Sequence, residues 1–109
     1  MKNTSINELR HFLKLERPEL TTDGYGSSER LWVNVTDLWA KIEPLSTRET
    51  LLKDQVESEI THRIIIRYRT DVLPEMRLRK EGRVFEIIGV LNEMERNRWL
   101  QLECKEKQL

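Results

Sequence analysis

The sequence is poor in cysteine and has no long apolar run. Cys104 is the only cysteine among 109 residues, so no internal disulfide can form, and no Cys-x-x-Cys pair is present to bind zinc. A single thiol fits a protein of a reducing compartment. No stretch approaches the roughly 18 apolar residues of a membrane-spanning helix, and the N-terminus lacks a signal-peptide pattern. We therefore expect a protein that is not exported and has no membrane partner.

The chain also lacks an excess of charge of either sign. Its 19 Lys and Arg residues balance 19 Asp and Glu residues, although charged residues make up 35% of the chain. A protein whose main task is to hold nucleic acid usually has a basic excess. General DNA binding is therefore disfavoured.

Signatures of catalysis and of metal binding are missing as well. There is no Gly-x-Ser-x-Gly, phosphate-binding loop or His-Glu-x-x-His pattern. His11 and His62 have no Cys, Asp or Glu at a recognised ligand spacing. Glu57 and Glu59 are interpreted as a solvated helix end, since nothing places them across a cleft. We expect no enzyme activity, no catalytic residue, no metal and no cofactor.

What the sequence does contain is a series of short segments with the two-residue period of β-strands. A strand ended by Pro18 is predicted over residues 11–16, and an exposed loop over residues 21–28. The other predicted strands are residues 32–35 and 38–43 (one long strand or a bent pair with a bulge), 62–68, 77–80 and 83–91 (a hairpin turning at Gly82), and 98–104.

One helix is predicted, where the alternation stops. Ser46 and Glu49 have the spacing of a capping box, in which each side chain accepts the other residue's unpaired backbone N–H. Glu49 and Lys53 form a favourable i, i+4 pair, and Leu52 and Val56 supply a narrow apolar stripe. A helix of about three turns should begin at Ser46.

Together these elements predict an all-β fold: a small β-barrel of five to seven strands with one short inserted helix or long loop. A chain of 109 residues fits a single domain. We expect that domain to span residues 1–109, with residues 1–8 and 105–109 as flexible tails.

Arginines are concentrated on the strand of residues 62–68 and on the hairpin. If these elements are neighbours, six side chains could form a basic stripe that approaches phosphates. They are Arg63, Arg67, Arg69, Arg77, Arg79 and Arg83. The alternative is a solvated face on which the arginines pair with glutamates. A third interpretation is that the arginines contact acidic surfaces of neighbouring subunits. We favour this interpretation over direct contact with DNA.

Three tryptophans are many for so small a core. Trp39 and Trp99 alternate with aliphatic residues. Each tryptophan is therefore predicted to lie on the face of its strand opposite the aliphatic side chains. Large rigid rings suit interfaces, although these two could instead close the ends of the barrel. The candidate subunit-interface residues are Trp39, Trp99, Arg63, Arg67, Arg69 and Tyr25, the last of which could also be a loop anchor.

Four motifs occur in one order along the chain: a Trp-bearing strand closed by Pro44, the capped helix, an Arg-edged isoleucine strand and the Gly-turned hairpin. The segments are LWVNVTDLWAKIEPLS (31–46), THRIIIRYR (61–69) and GRVFEI (82–87), preceded by Leu9, Arg10 and His11. In this order and spacing the chain resembles the head–tail joining (head-closure, or head–tail adaptor) proteins of long-tailed phages and prophages.

The resemblance implies a small β-barrel with an inserted helix or loop and a structural role in the virion neck, assembled in the bacterial cytoplasm. Such proteins dock on the portal and adaptor ring after DNA packaging, close the head and present a surface to the tail-terminator or tail proteins. They form a ring, commonly of twelve copies, around packaged double-stranded DNA. The insertion, residues 45–60 here, then projects toward the channel. Its candidate channel residues are Leu45, Ser46, Arg48, Glu49, Leu52, Lys53, Val56 and Glu57.

A second hypothesis is a small β-barrel module that binds single-stranded nucleic acid on aromatic platforms in a basic groove. The balanced charge counts against it. A steep fall of DNA affinity with salt would favour it.

Overall fold

The computed structural model describes residues 4–22, 24–26, 28–45 and 60–108. There the chain forms six strands: β1 (His11–Thr22), β2 (Ser28–Pro44), β3 (His62–Arg67), β4 (Arg77–Lys80), β5 (Arg83–Asn92) and β6 (Trp99–Gln108). Two single-turn 3-10 helices cover Ile6–Glu8 and Glu93–Glu95. The helix predicted to begin at Ser46, and the Glu57 and Glu59 pair, lie outside the described residues. No described helix is long and apolar enough to cross a membrane.

The six strands pair antiparallel in the order β1-β2-β3-β6-β5-β4, and β4 pairs back with β1, so the sheet closes into a barrel. The predicted all-β barrel is confirmed. Within the barrel wall each strand has a partner on both sides, which leaves no open edge there.

The barrel interior is filled by side chains that alternate inward along each strand. The largest fully buried side chains are Phe85, Leu13, Leu15, Ile64, Ile66, Leu78, Leu102 and Cys104. The face predicted for β6 is confirmed, because Leu100, Leu102 and Cys104 are all buried. This alternation gives the fold one core inside the barrel.

β1 and β2 are longer than predicted and leave the barrel together. β1 passes through Pro18 and pairs with β2 as far as Thr22. However, the pairing of β1 with β4 ends at Glu16, and the pairing of β2 with β3 begins at Ala40. Beyond these points the hairpin is a two-stranded ribbon, and a proline is tolerated where one strand edge has no partner. We call residues 17–33 the arm.

The connection at the tip of the arm is shorter than the predicted loop, because Thr21, Thr22 and Ser28 belong to strands. At the root of the arm the register moves from Leu15 opposite Thr36 to Glu16 opposite Asn34. Val35 is therefore an extra residue in β2. The predicted bulge is confirmed within a single strand of 17 residues.

The chain ends are more structured than expected. β6 continues to Gln108, which pairs with Arg83, so the predicted tail is wrong for residues 105–108. These residues are ordered because β5 extends far enough to offer them backbone partners. At the other end, Ser5 caps the Ile6–Glu8 turn, and its N–H donates to Glu8 Oε2 at 2.8 Å.

The β4–β5 hairpin lies where the sequence predicts it. Its two-residue turn consists of Glu81 and Gly82. However, the positive φ, 53°, falls on Glu81 and not on the glycine.

Candidate interaction surfaces

The histidines are engaged in local contacts. His11 Nδ1 lies 2.8 Å from Lys80 Nζ. Burial and the neighbouring cations of Lys80 and Arg83 lower the pKa of His11. His62 packs edge-on against Phe85. Burial lowers its pKa too, although the carboxylate of Glu106 opposes that shift. Both side chains thus have a structural role in the barrel wall.

Cys104 and the acidic residues form no reactive or metal-binding group in the described part of the chain. Burial raises the pKa of the Cys104 thiol, so the reactive thiolate is strongly disfavoured. Among residues 4–22, 24–26, 28–45 and 60–108, no three His, Cys, Asp or Glu side chains are arranged to hold a metal ion.

The predicted basic stripe of six arginines is not formed, because β3 and β4 lie on opposite sides of the barrel. In the closed order they are separated by β6 and β5 in one direction and by β2 and β1 in the other. The arginines of β3 and of β4 thus face different directions. A single phosphate-binding face cannot be built from all six arginines.

Several of these arginines are also paired with carboxylates, as the alternative interpretation predicted. Arg77 Nε donates to Glu16 Oε1 at 2.6 Å, and the pair is largely buried. Arg83 donates twice to Glu106, and Arg69 donates twice to Asp71. These side-chain hydrogen bonds lower the pKa values of Glu106 and Asp71.

Trp39 forms an exposed aromatic pair on the outer wall of the barrel. Its ring centroid lies 4.9 Å from that of Phe12, its partner across β1 and β2, and about half of each side chain is exposed. An open groove of about 610 Å³ lies on one side of the pair, and another of about 720 Å³ lies on the other. We call Phe12 and Trp39 with these grooves the aromatic face.

The rim of the aromatic face carries more cations than carboxylates. The larger groove is lined by Arg10, Lys14, Arg79 and Lys80 together with Glu16 and Glu81, and Arg67 lines the smaller one. Lys14 and Arg67 form no ion pair with any carboxylate that the structure describes. This face therefore combines exposed aromatic rings with an excess of cations, and aromatic residues and arginine are enriched at protein interfaces.

Trp99 is far less exposed than Trp39, although strand alternation predicts an outward position for both. It does point away from the barrel interior, but only 8% of it is exposed. Leu9 and Ile65 pack with it in a second small cluster on the outside of the wall. In the isolated chain the N-terminal segment thus covers Trp99, and Trp39 is the tryptophan available to a partner.

Among the residues that the structure describes, the most exposed large apolar side chains lie on the arm. Tyr25 at its tip is 95% exposed and Leu20 is 73% exposed. The root is fixed by Trp32, whose ring centroid lies 4.2 Å from the Arg77 guanidinium carbon. The arm is thus anchored at its base and strongly exposed at Leu20 and Tyr25.

The insertion predicted to face the channel leaves and re-enters the barrel at one point. The Leu45 N–H donates to the Thr61 carbonyl at 2.9 Å, and the Thr61 N–H donates to Cys104. Of the predicted channel residues, Leu45 is described and the other seven lie outside the described residues. β2 runs from the arm to this point, so the arm and the insertion emerge from opposite ends of one strand.

A family model described as "phage head completion protein" matches residues 4–107. The chain belongs to this family. Its role is structural, in head completion, and its place is the virion, where head-completion proteins interact with other head and tail proteins. The resemblance found in the sequence is therefore confirmed.

Two solved structures are similar to this head-completion chain. Protein SF1141 from Shigella flexneri 2a shares 28% identity with a TM-score of 0.77, covering 94% of this chain and 96% of that one. A chain of the virion of a native gene transfer agent particle shares 21% identity with a TM-score of 0.66, covering 93% and 96%. The second likeness concerns the fold alone. No curated protein matches the sequence.

Sequence reasoning missed two features of these surfaces. Phe12 alternates with the apolar Leu13, which indicated an outward position, but only the β1–β2 register shows that it stacks on Trp39. The arm was missed because Pro18 was taken as the end of β1. Exposed Leu20 beyond that proline was the available signal.

Proposed function

We propose that this protein is a structural component of the virion neck that docks on the portal and adaptor complex after DNA packaging, closes the head and provides the surface to which the tail attaches. The match to the head-completion family over residues 4–107 carries this proposal. Two exposed apolar surfaces on a compact barrel, the arm tip and the aromatic face, support a role in assembly. The assembly would take place in the cytoplasm of the bacterial host.

In this proposal the protein acts as a homo-oligomeric ring around packaged double-stranded DNA, commonly of twelve copies in such necks, with tail-terminator or tail proteins on its other side. Closed rings arise when the contact between neighbours repeats by rotation. The insertion of residues 45–60 would project toward the central channel. The Leu45 to Thr61 hydrogen bond supports this, because it holds both ends of the insertion at one end of the barrel.

Trp39, Arg67 and Tyr25 would belong to the contacts between subunits or with neighbouring rings. Each is exposed. Arg63, Arg69 and Trp99 would belong to the same contacts, although Arg69 is bound to Asp71 and Trp99 is covered in the single chain. A contribution from Trp99 would require the N-terminal segment to move, and one from Arg69 would require its pair with Asp71 to open, whereas Arg63 is half-exposed.

A nucleic-acid-binding role has less support. The arginines face opposite sides of the barrel, and the formal net charge is +0. A protein that neutralises several phosphates loses affinity steeply with salt. We expect DNA binding by the purified chain to be weak at 150 mM salt, which electrophoretic mobility shift would measure.

The docking and closure proposal is tested with particles made without this protein. We expect heads that have packaged DNA but carry no tails and lose their DNA, with tails accumulating separately, as seen by electron microscopy. The wild-type chain supplied from a plasmid should restore tailed particles. Normal yields of tailed, infectious particles without the chain would overturn the proposal.

The channel role of the insertion needs a separate test. Shortening the insertion between Thr50 and Glu57 should leave the barrel folded and able to enter particles. If the insertion retains DNA, heads carrying this variant should release their DNA before a tail attaches. Heads that keep a full genome would overturn the channel role and leave joining alone.

A further inference from the structure

At one end of the barrel the pairing of β3 with β6 continues through a side chain. The strand pairing itself stops where His62 lies opposite Cys104, and the Thr61 N–H also donates to the Cys104 carbonyl. Two residues further along β6, the Glu106 N–H donates to Thr61 Oγ1 at 2.8 Å. The hydroxyl of Thr61 thus takes the place that a backbone carbonyl of β3 would have in a regular pair of strands.

The same hydroxyl contacts the imidazole of His62, with 2.8 Å between Oγ1 and Nδ1. Because Oγ1 already accepts the Glu106 N–H, its own hydrogen can point at Nδ1. A neutral imidazole that accepts at Nδ1 carries its hydrogen on Nε2, and Nε2 lies 3.7 Å from Glu106 Oε1. The other tautomer would direct a lone pair at the carboxylate and leave the hydroxyl hydrogen without an acceptor among the described residues. The contacts therefore favour the Nε2–H form of neutral His62.

We propose that Thr61, His62 and Glu106 form a proton-sensitive latch, which joins β3 to β6 while His62 is neutral and weakens when His62 takes up a proton. The added proton goes to Nδ1, so Thr61 Oγ1 must accept two hydrogens and turn its own hydrogen away. The oxygen that binds the Glu106 N–H is then shared with the imidazolium. The latch is a property of the single chain and requires neither a ring nor a virion.

The groups around His62 keep the latch in its neutral form near pH 7. Burial lowers the pKa of His62, the Glu106 carboxylate on β6 opposes that shift, and Arg83 on β5 adds to it. Arg83 also holds the Glu106 carboxylate through two hydrogen bonds, so the carboxylate is not available to the imidazolium alone. The residues opposite His62 in the two strand pairings, Cys104 in β6 and Pro44 in β2, carry no charge. Acidification is therefore the change that should weaken the latch.

The latch lies at the end of the barrel where the insertion leaves and re-enters. The Thr61 carbonyl accepts the Leu45 N–H at 2.9 Å, so the same residue also ties β2 to this end. At the opposite end of β3, the Tyr68 N–H donates to the Arg98 carbonyl at 3.0 Å, a contact made by backbone groups. Acidification should thus loosen one end of the pairing between β3 and β6 and leave the other end unchanged.

Amide hydrogen exchange of the purified chain at pH 7 and pH 5.5 tests the latch. Glu106 should stay ionised over this range, because its hydrogen bonds from Arg83 lower its pKa. Protection of the Glu106 N–H should fall about fivefold on acidification, roughly the loss of one hydrogen bond. Protection of the Tyr68 N–H, the matched control, should change by less than about twofold. Unchanged protection at Glu106, or equal falls at both amides, would overturn the proposal.

Three variants separate the hydroxyl from the proton. Thr61→Val removes the hydroxyl at nearly constant shape and should give Glu106 low protection at both pH values, whereas Thr61→Ser should restore the protection and its pH dependence. His62→Asn keeps an acceptor near the position of Nδ1 but takes up no proton, so protection should persist at pH 5.5. A Thr61→Val chain with the wild-type pH dependence, or a His62→Asn chain that loses protection on acidification, would overturn the proposal.

The tautomer of wild-type His62 gives a readout that needs no variant. Nitrogen NMR of the imidazole at pH 7 should show a hydrogen on Nε2 and none on Nδ1. A neutral ring with its hydrogen on Nδ1 would overturn the latch even if every variant folds and behaves as expected. None of these outcomes changes the neck role, which particles made without the chain test separately.

Discussion

β1 and β2 contribute to both the barrel and the arm, but the strand pairing and side-chain packing of the two regions differ. In the barrel each strand has two partners, and side chains such as Leu13 and Phe85 are fully buried. In the arm each strand has one partner, and Leu20 is 73% exposed. The comparison shows that the barrel is stabilised by its own core, whereas the described side chains of the arm beyond its root add little buried packing.

The largest expected contrast is between a core side chain and an arm side chain. Phe85→Ala should lower the free energy of unfolding by about 3–5 kcal/mol, because it leaves a cavity inside the barrel. Leu20→Ala should change it by less than about 0.5 kcal/mol, since an exposed side chain has little packing to lose. Urea unfolding of both variants measures the difference. Equal losses would mean that the arm is packed like the barrel.

A second contrast is between Trp99, which is covered, and Trp39, which is exposed on the outer side of the barrel wall. Trp99→Ala should cost about 3 kcal/mol, because Leu9 and Ile65 pack around the ring. Trp39→Ala should cost about 1 kcal/mol or less in stability but should reduce entry of the chain into particles. Thermal unfolding and particle composition are the measurements. A variant of Trp39 that unfolds the monomer would place this residue in the core instead.

The clamp at the arm root should show a smaller and local effect. Arg77→Ala removes the hydrogen bond to Glu16 and the stacking on Trp32, and should cost about 1–3 kcal/mol. Arg79→Ala, on the same strand with no described carboxylate partner, is the matched control. Amide exchange should rise in residues 17–33 and not in β6. Faster exchange throughout the barrel would show that the clamp supports the whole fold.

The smallest effect is the dependence on pH. The pKa values of His11 and His62 are lowered from 6.5, so the unfolded chain binds more protons than the folded one just below that pH. Stability should therefore fall modestly from pH 7 to pH 5.5. Below about pH 4.5 it should fall further, as Glu106 and Asp71, whose pKa values are also lowered, become protonated. A urea midpoint that rises on acidification, or a His62→Gln variant with unchanged pH dependence, would contradict this assignment.

The sequence predicted the barrel because burial in a closed sheet imposes a simple alternation. Ile64 and Ile66 in β3, and Leu102 and Cys104 in β6, follow the two-residue period, and all four are buried. The residues at the β4–β5 turn were also predictable, since Gly82 marks it between two alternating segments. These are local signals, which a single segment carries by itself.

The surfaces were less predictable because they depend on which strands become neighbours. Local alternation placed the arginines of β3 and β4 outward, but only the closed strand order separates them across the barrel. Likewise, alternation treated Trp39 and Trp99 alike, and the distant Leu9 decides that Trp99 is covered. Pro18 was misjudged because a proline ends a central strand but not a free edge.

The most direct test of the account is a cryo-electron microscopy reconstruction of the neck of tailed particles that contain this chain. The account predicts a single ring of six-stranded barrels between the portal complex and the tail, with residues 45–60 on the channel side of each barrel. Barrels found in the capsid shell or the tail tube, or a neck without them, would contradict it.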